Sequence, residues 1–159
     1  MTGADAHSLG LALEDWAQSP ELQEDLRNDP LAADWYTGEW VVGGCFMFAL
    51  AIAAWGGPRA VLVGVVPRSW PEPSHVLVRF GRWYFDATGA RQRRDVIRTW
   101  TKRGGRLVEY DEIDLLEICA EAVPGRRHRR LRRQRKIRRL MAASLQRAVG
   151  PPSTWGIGV

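Results

Sequence analysis

The sequence predicts an α+β fold in which one buried helix packs on a small antiparallel sheet. Phe46 to Trp55 is apolar nearly all round, Ala60 to Val66 is a run dominated by valine, and His75 to Phe80 and Trp83 to Ala87 are short strand-like segments joined by Gly81-Arg82. A helix that is apolar on every side belongs inside a core. A continuous apolar run of that length fits a strand covered on both faces, and a two-residue loop led by Gly fits a type II′ hairpin turn.

The remaining elements follow in chain order. Ser8 to Gln18 and Pro20 to Arg27 read as short helices, with Ser19 as N-cap of the second and Pro20 at its first position. After Asp29-Pro30 comes an aromatic loop, Trp35-Tyr36-Thr37-Gly38-Glu39-Trp40, which leads into Gly43-Gly44-Cys45 at the head of the apolar helix; Gly56-Gly57-Pro58 ends that helix. Pro67 to Pro73 is a loop, Asp95 to Arg103 a helix, Arg106 to Tyr110 a strand and Glu112 to Val123 an acidic amphipathic helix containing Cys119. No internal repeat is evident.

With 159 residues the chain suffices for one domain with appendages. Residues 1–124 read as the globular domain, with an acidic helical part at 1–39, and residues 125–159 as an Arg-rich helical extension. The composition, 45% hydrophobic and 26% charged, excludes wholesale disorder and a fibrous repeat. The longest apolar run, Val41 to Trp55, is interrupted by Gly43 and Gly44 and is shorter than the roughly 18 to 20 residues a membrane span needs. No span is expected, and without a basic cluster leading into an apolar stretch at the start, the cytoplasm is the expected compartment.

The net charge of +5 hides an uneven distribution. Residues 1–39 hold nine acids and one base, residues 40–125 are nearly balanced, and residues 126–159 hold eleven bases and no acid. Residues 126–139 alone carry ten Arg or Lys, while Leu131, Ile137, Leu140, Met141 and Leu145 can form one apolar stripe. An amphipathic basic helix of this kind can meet nucleic-acid phosphates, an anionic surface, or an acidic protein segment, including the acidic third of this chain or of a second copy in a homo-oligomer. Arg129, Arg130, Arg132 and Arg133 are the expected polyanion contacts. No zinc-finger or phosphate-loop motif accompanies them.

The hairpin carries a geometric inference about chemistry. If Phe80 faces Trp83, then Val78 opposes Phe85 on one apolar face, and His75, Leu77, Arg79, Tyr84, Asp86 and Thr88 share the other. His75 and Asp86 are then diagonal neighbours within hydrogen-bonding reach. A three-residue loop would break this parity, and the apolar pattern favours the even count. Cys45 opens the most apolar helix, where unpaired amides and the positive end of the macrodipole favour a thiolate. A thiol nucleophile, an imidazole base and a carboxylate that fixes its tautomer are the parts of a Cys-His-Asp triad, with the Cys45 amide as an oxyanion donor. The bland alternative for each is a small core residue, a satisfied polar group and a turn former. Cys119, within Ile118-Cys119-Ala120, reads as a packed helix face. The two cysteines lack the spacing of a zinc site, and neither metal nor cofactor is expected.

Gly43-Gly44-Cys45-Phe46 through Trp55, then Ser74-His75-Val76-Leu77-Val78 and Trp83-Tyr84-Phe85-Asp86-Ala87-Thr88-Gly89, resemble the core of the papain-like superfamily, especially its transglutaminase-like and small bacterial or phage branches. The likeness covers about residues 40–90. It implies a papain-like core, with the nucleophile on a helix packed against a sheet that carries His and Asp. The Gly-Gly-x-Cys of arylamine N-acetyltransferases is a near relative of the pattern. Papain-like peptidases often place a Gln shortly before the nucleophile as a second oxyanion donor, and none occurs between Gln23 and Cys45; Trp40, Tyr36 or a backbone amide would have to replace it.

Two functions are therefore expected in contrast. The first is a cysteine-dependent hydrolase or acyl-transfer enzyme acting on a protein or peptide through Cys45, His75 and Asp86, with Tyr36, Trp40 and Trp83, beside Trp35, lining a substrate groove. The second is a catalytically degenerate scaffold that binds nucleic acid or an acidic protein through residues 126–139.

Overall fold

The computed structural model describes residues 1–28, 44–100, 104–121 and 127–157, with backbone alone at 119–121 and 127–130. In chain order the elements are helices α1 (Gly3–Gln18), α2 (Pro20–Asn28) and α3 (Cys45–Gly56), strands β1 (Val61–Val66), β2 (His75–Phe80), β3 (Trp83–Asp86) and β4 (Gly89–Gln92), helix α4 (Arg93–Trp100), strand β5 (Arg106–Tyr110), and helices α5 (Glu112–Glu121) and α6 (Arg127–Val149). The strands form one antiparallel sheet in the order β4-β3-β2-β1-β5.

The hairpin has the expected register, with Phe80 opposite Trp83 and Val78 opposite Phe85. Gly81 has φ of +59° while Arg82 stays at negative φ, which fits a II′ turn and excludes I′. Two features differ from the sequence reading. α1 begins at Gly3 rather than Ser8, because Thr2 and Asp5 form a reciprocal capping box: the Asp5 N–H donates to Thr2 Oγ1 at 3.2 Å and the Thr2 N–H to Asp5 Oδ2 at 2.8 Å. β4 extends the sheet by a strand that the polar segment Gly89-Ala90-Arg91-Gln92 did not announce.

Helices sit unequally on the two faces of the sheet. Leu62, Val76, Val78, Phe80 and Phe85 point into the larger core, together with buried side chains of α1, α2, α3, α5 and α6. Val63, Val65, Leu77 and Tyr84 point the other way, into a small core closed by Val96 and Trp100 of α4. The large core is where the basic tail goes. Ile137, Met141, Leu145 and Val149 recur every fourth residue along α6 and are all buried, each fully buried side chain contributing about 1.5–3 kcal/mol. Trp16 Nε1 donates to Ser144 Oγ at 3.2 Å across α1 and α6.

α3 runs along the sheet with its end beside Phe80, where a Cβ on Gly56 would lie 2.4 Å from the Phe80 ring. Its beginning therefore points toward the opposite end of β2, where His75 stands. Among the described residues no helix is long and apolar enough to cross a membrane.

Candidate active site

Asp86 ends β3 and His75 begins β2, so the register that joins Phe80 to Trp83 leaves both on the α4 side of the sheet at its open end. Their atoms meet. His75 Nε2 lies 3.0 Å from Asp86 Oδ2, and both residues are only 2% exposed. Asp86 also accepts from the Thr88 N–H at 2.8 Å, the Thr88 hydroxyl at 2.6 Å, and Arg91 Nη1 at 3.0 Å from one oxygen and 3.1 Å from the other. Arg91 Nη2 in turn donates to Thr88 Oγ1 at 2.6 Å.

Burial pushes the Asp86 carboxyl up, but the donated hydrogen bonds of His75 and Thr88 and the charge of Arg91 outweigh it and hold the group below its ordinary 3.8. An ionised carboxylate only accepts, so the His75 Nε2–H is the donor. That assignment leaves Nδ1 as the ring nitrogen available for proton transfer. Nδ1 is buried and has no partner with hydrogen-bond geometry.

The Cys45 thiol lies close to this ring. Burial lowers the affinity of His75 for a proton, yet the hydrogen bond to Asp86 and the interaction with the Cys45 side chain prevail and raise the imidazole from 6.5 to about 9. Since Nδ1 makes no fully formed hydrogen bond, sulfur and ring stand in a loose contact. Cys45 is the first residue of α3, and its N-cap Gly44 supplies no side chain to occupy the first-turn amides. At 3% exposure Cys45 is about as buried as its partners. The Trp100 indole stacks on the imidazole with ring centroids 4.0 Å apart and planes inclined by 13°.

Comparison with known protein families, with curated proteins and with solved structures finds no match. Among the described residues no group of three or more His, Cys, Asp and Glu side chains is placed to hold a metal ion.

The other sequence-derived site residues fall elsewhere. Trp83 does not join the triad: it opposes Phe80 at the turn end of the hairpin and packs against the large core, on the face away from Asp86. The three-residue offset from Asp86 dictates this, because alternate strand residues face opposite ways. Trp35, Tyr36 and Trp40 lie outside the described residues, as do the side chains of Arg129 and Arg130. Of the remaining polyanion residues, Arg132 is exposed and Arg133 is half-buried. Part of the tail's charge meets acids of its own chain: Arg147 pairs with Asp25 at 2.9 Å, and Arg138 with Glu112. Thr88, Arg91 and Trp100 complete the site without having been singled out. Asp86-Ala87-Thr88 is a spacing at which an Asp side chain accepts from the second amide onward, and Val96 and Trp100 share a helix face.

Proposed function

We propose that this protein is a cysteine-dependent hydrolase or acyl-transfer enzyme on a papain-like, transglutaminase-like scaffold. The observation that carries this reading is the buried His75–Asp86 pair, whose unpartnered ring nitrogen stands beside the Cys45 thiol at a helix N-terminus. Isolated structural histidines rarely combine an ionised partner, an idle buried nitrogen and a neighbouring thiol.

The chemistry follows from these positions. Cys45 sulfur, as thiolate, adds to a carbonyl carbon, and the oxyanion that develops is met by the Cys45 amide at the head of α3. His75, charged at neutral pH, already carries the proton that the departing amine or alcohol needs, and transfers it as the tetrahedral intermediate collapses to a thioester. Water or another nucleophile then gives its proton to the neutral ring and attacks the thioester, releasing the sulfur. Asp86 keeps the ring oriented and offsets its charge throughout. No step requires a cofactor. Because Cys45 and His75 are buried, a substrate reaches the sulfur only when neighbouring groups move, as at sites gated by loops.

The test is alkylation of Cys45 by iodoacetamide, read by mass spectrometry of the intact folded protein. His75→Ala should slow modification at neutral pH by an order of magnitude or more, because the reacting sulfur loses the imidazole beside it. An unchanged rate would reject the enzyme.

A second reading draws on the outer face of α6, where Arg132, Arg135 and Arg139 are exposed at helical spacing. Such a stripe suits the phosphates of nucleic acid. Loss of gel retardation of mixed DNA and RNA on neutralising these three residues at low salt is its expected result, and absence of any retardation in the unaltered protein removes it.

A further inference from the structure

A cleft of about 240 Å³ opens at one end of the sheet, lined by Pro67, Arg68, Trp70, Gly104 and Arg106 and by none of Cys45, His75 and Asp86. Its place follows from strand register. Arg106 pairs with Val66, and Val65 pairs with His75, so the cleft lies at the end of the sheet where the catalytic ring stands. β5 is separated from β2 by β1 alone, and two strand spacings put the Arg106 backbone about 10 Å from that of His75.

The lining is unusual for a surface hollow. Trp70, in the β1–β2 loop, is 60% exposed, whereas Phe80, Tyr84 and Phe85 of the sheet are buried. Arg68 and Arg106 bring two guanidinium groups, and among the described residues no carboxylate forms an ion pair with either. Glu72, the acid of the same β1–β2 loop, is within electrostatic range of Tyr110 and does not line the cleft.

We infer that this cleft is a specificity subsite for an acidic side chain of a peptide substrate; the inference rests on the catalytic reading above. Two planar forks match a carboxylate in bidentate geometry, and an exposed indole offers a flat face to the adjoining peptide. The volume favours a side chain over a nucleotide or other large acyl carrier, since pockets for drug-sized ligands run to about 300–1,000 Å³.

The test uses the full chain and two acetylated peptide amides, Ala-Glu-Ala-Ala and Ala-Gln-Ala-Ala. The Trp70 indole resonance, identified by its loss in Trp70→Phe, is followed during titration at low salt. The Glu peptide should bind about tenfold more tightly than the Gln peptide, the discrimination expected of hydrogen bonds to a charged group, and Arg68→Gln with Arg106→Gln should abolish the difference. Equal shifts from both peptides, no shift from either, a preference that survives the double substitution, or displacement by equimolar inorganic phosphate would each overturn the inference. Binding does not require Cys45 to react. Failure here with His75-dependent alkylation intact rejects the subsite alone; Glu selectivity with His75-independent alkylation rejects the enzyme and leaves an anion-binding cleft.

Discussion

Replacing Asp86 by Asn removes one charge from the centre of the site while nearly preserving its shape. The carboxylate holds His75 at 3.0 Å and is in turn held by Thr88 and Arg91. In the folded protein the imidazole rises from 6.5 to about 9, an interval that corresponds to about 3 kcal/mol of preference for the charged ring. Both partners are 2% exposed, so solvent screening takes little from that figure. A group whose folded value is raised lends its stability fully below its unfolded value, here about pH 6.5, and loses it as pH climbs through about 9. Asp86, whose folded value is lowered, contributes above its ordinary 3.8 and loses that contribution as pH falls through the lower value. Asp86→Asn should therefore destabilise the protein by about 3 kcal/mol or more at pH 6. The loss should be clearly smaller at pH 10, where the ring is neutral in the parent and only its uncharged Nε2–H hydrogen bond and the parts due to Thr88 and Arg91 remain. Urea denaturation at both pH values measures the difference, and the ring's proton resonances should titrate near 9 in the parent and near or below 6.5 in the variant. Equal losses at both pH values, or a parent ring titrating near 6.5, would refute the account of this pair.

Gly10 of α1 stands where an added Cβ would lie 2.5 Å from the Ala90 backbone nitrogen of β4. Gly10→Ala should cost about 1–3 kcal/mol in denaturation, as overpacking does, and an unchanged midpoint would contradict the close seating of α1 on β4. Leu145→Ala, at a fully buried position of α6, should cost about 2–5 kcal/mol in the same measurement; a loss well under about 1 kcal/mol would show that α6 is not part of the core. Trp100→Ala uncovers the His75 ring and should speed alkylation of Cys45, whereas a slower rate would mean that the indole aligns the imidazole rather than screening it.

Much of this arrangement was legible in the sequence wherever periodicity and turn chemistry agree. Gly81-Arg82 set the hairpin register, and that register alone put His75 and Asp86 on one face. The apolar run after Gly43-Gly44 placed Cys45 at the first turn of α3. β4 was not legible, because Gly89-Ala90-Arg91-Gln92 is polar and lacks β-branched residues; it is a strand because β3 offers an open edge and α1 covers it. Arg91 came with it, since pairing with Tyr84 turns its side chain toward Asp86. Trp83, expected to line a substrate groove, stands half-buried on the large-core face, because its parity is opposite to that of Asp86. In the tail the apolar stripe was legible at Ile137, Met141 and Leu145, which are buried, while Val149 was missed and Leu131 and Leu140 are only half-buried; composition, which counts charge without direction, could not show which arginines turn inward.

The central claim is that Cys45, His75 and Asp86 act as one proton-transferring unit. Its most direct measurement is the alkylation rate of Cys45 in folded His75→Ala, Asp86→Asn and the double variant. If the carboxylate works only through the imidazole, the double variant reacts no more slowly than His75→Ala alone. Effects that multiply, with the double variant slower by the product of the two single losses, would contradict the claim.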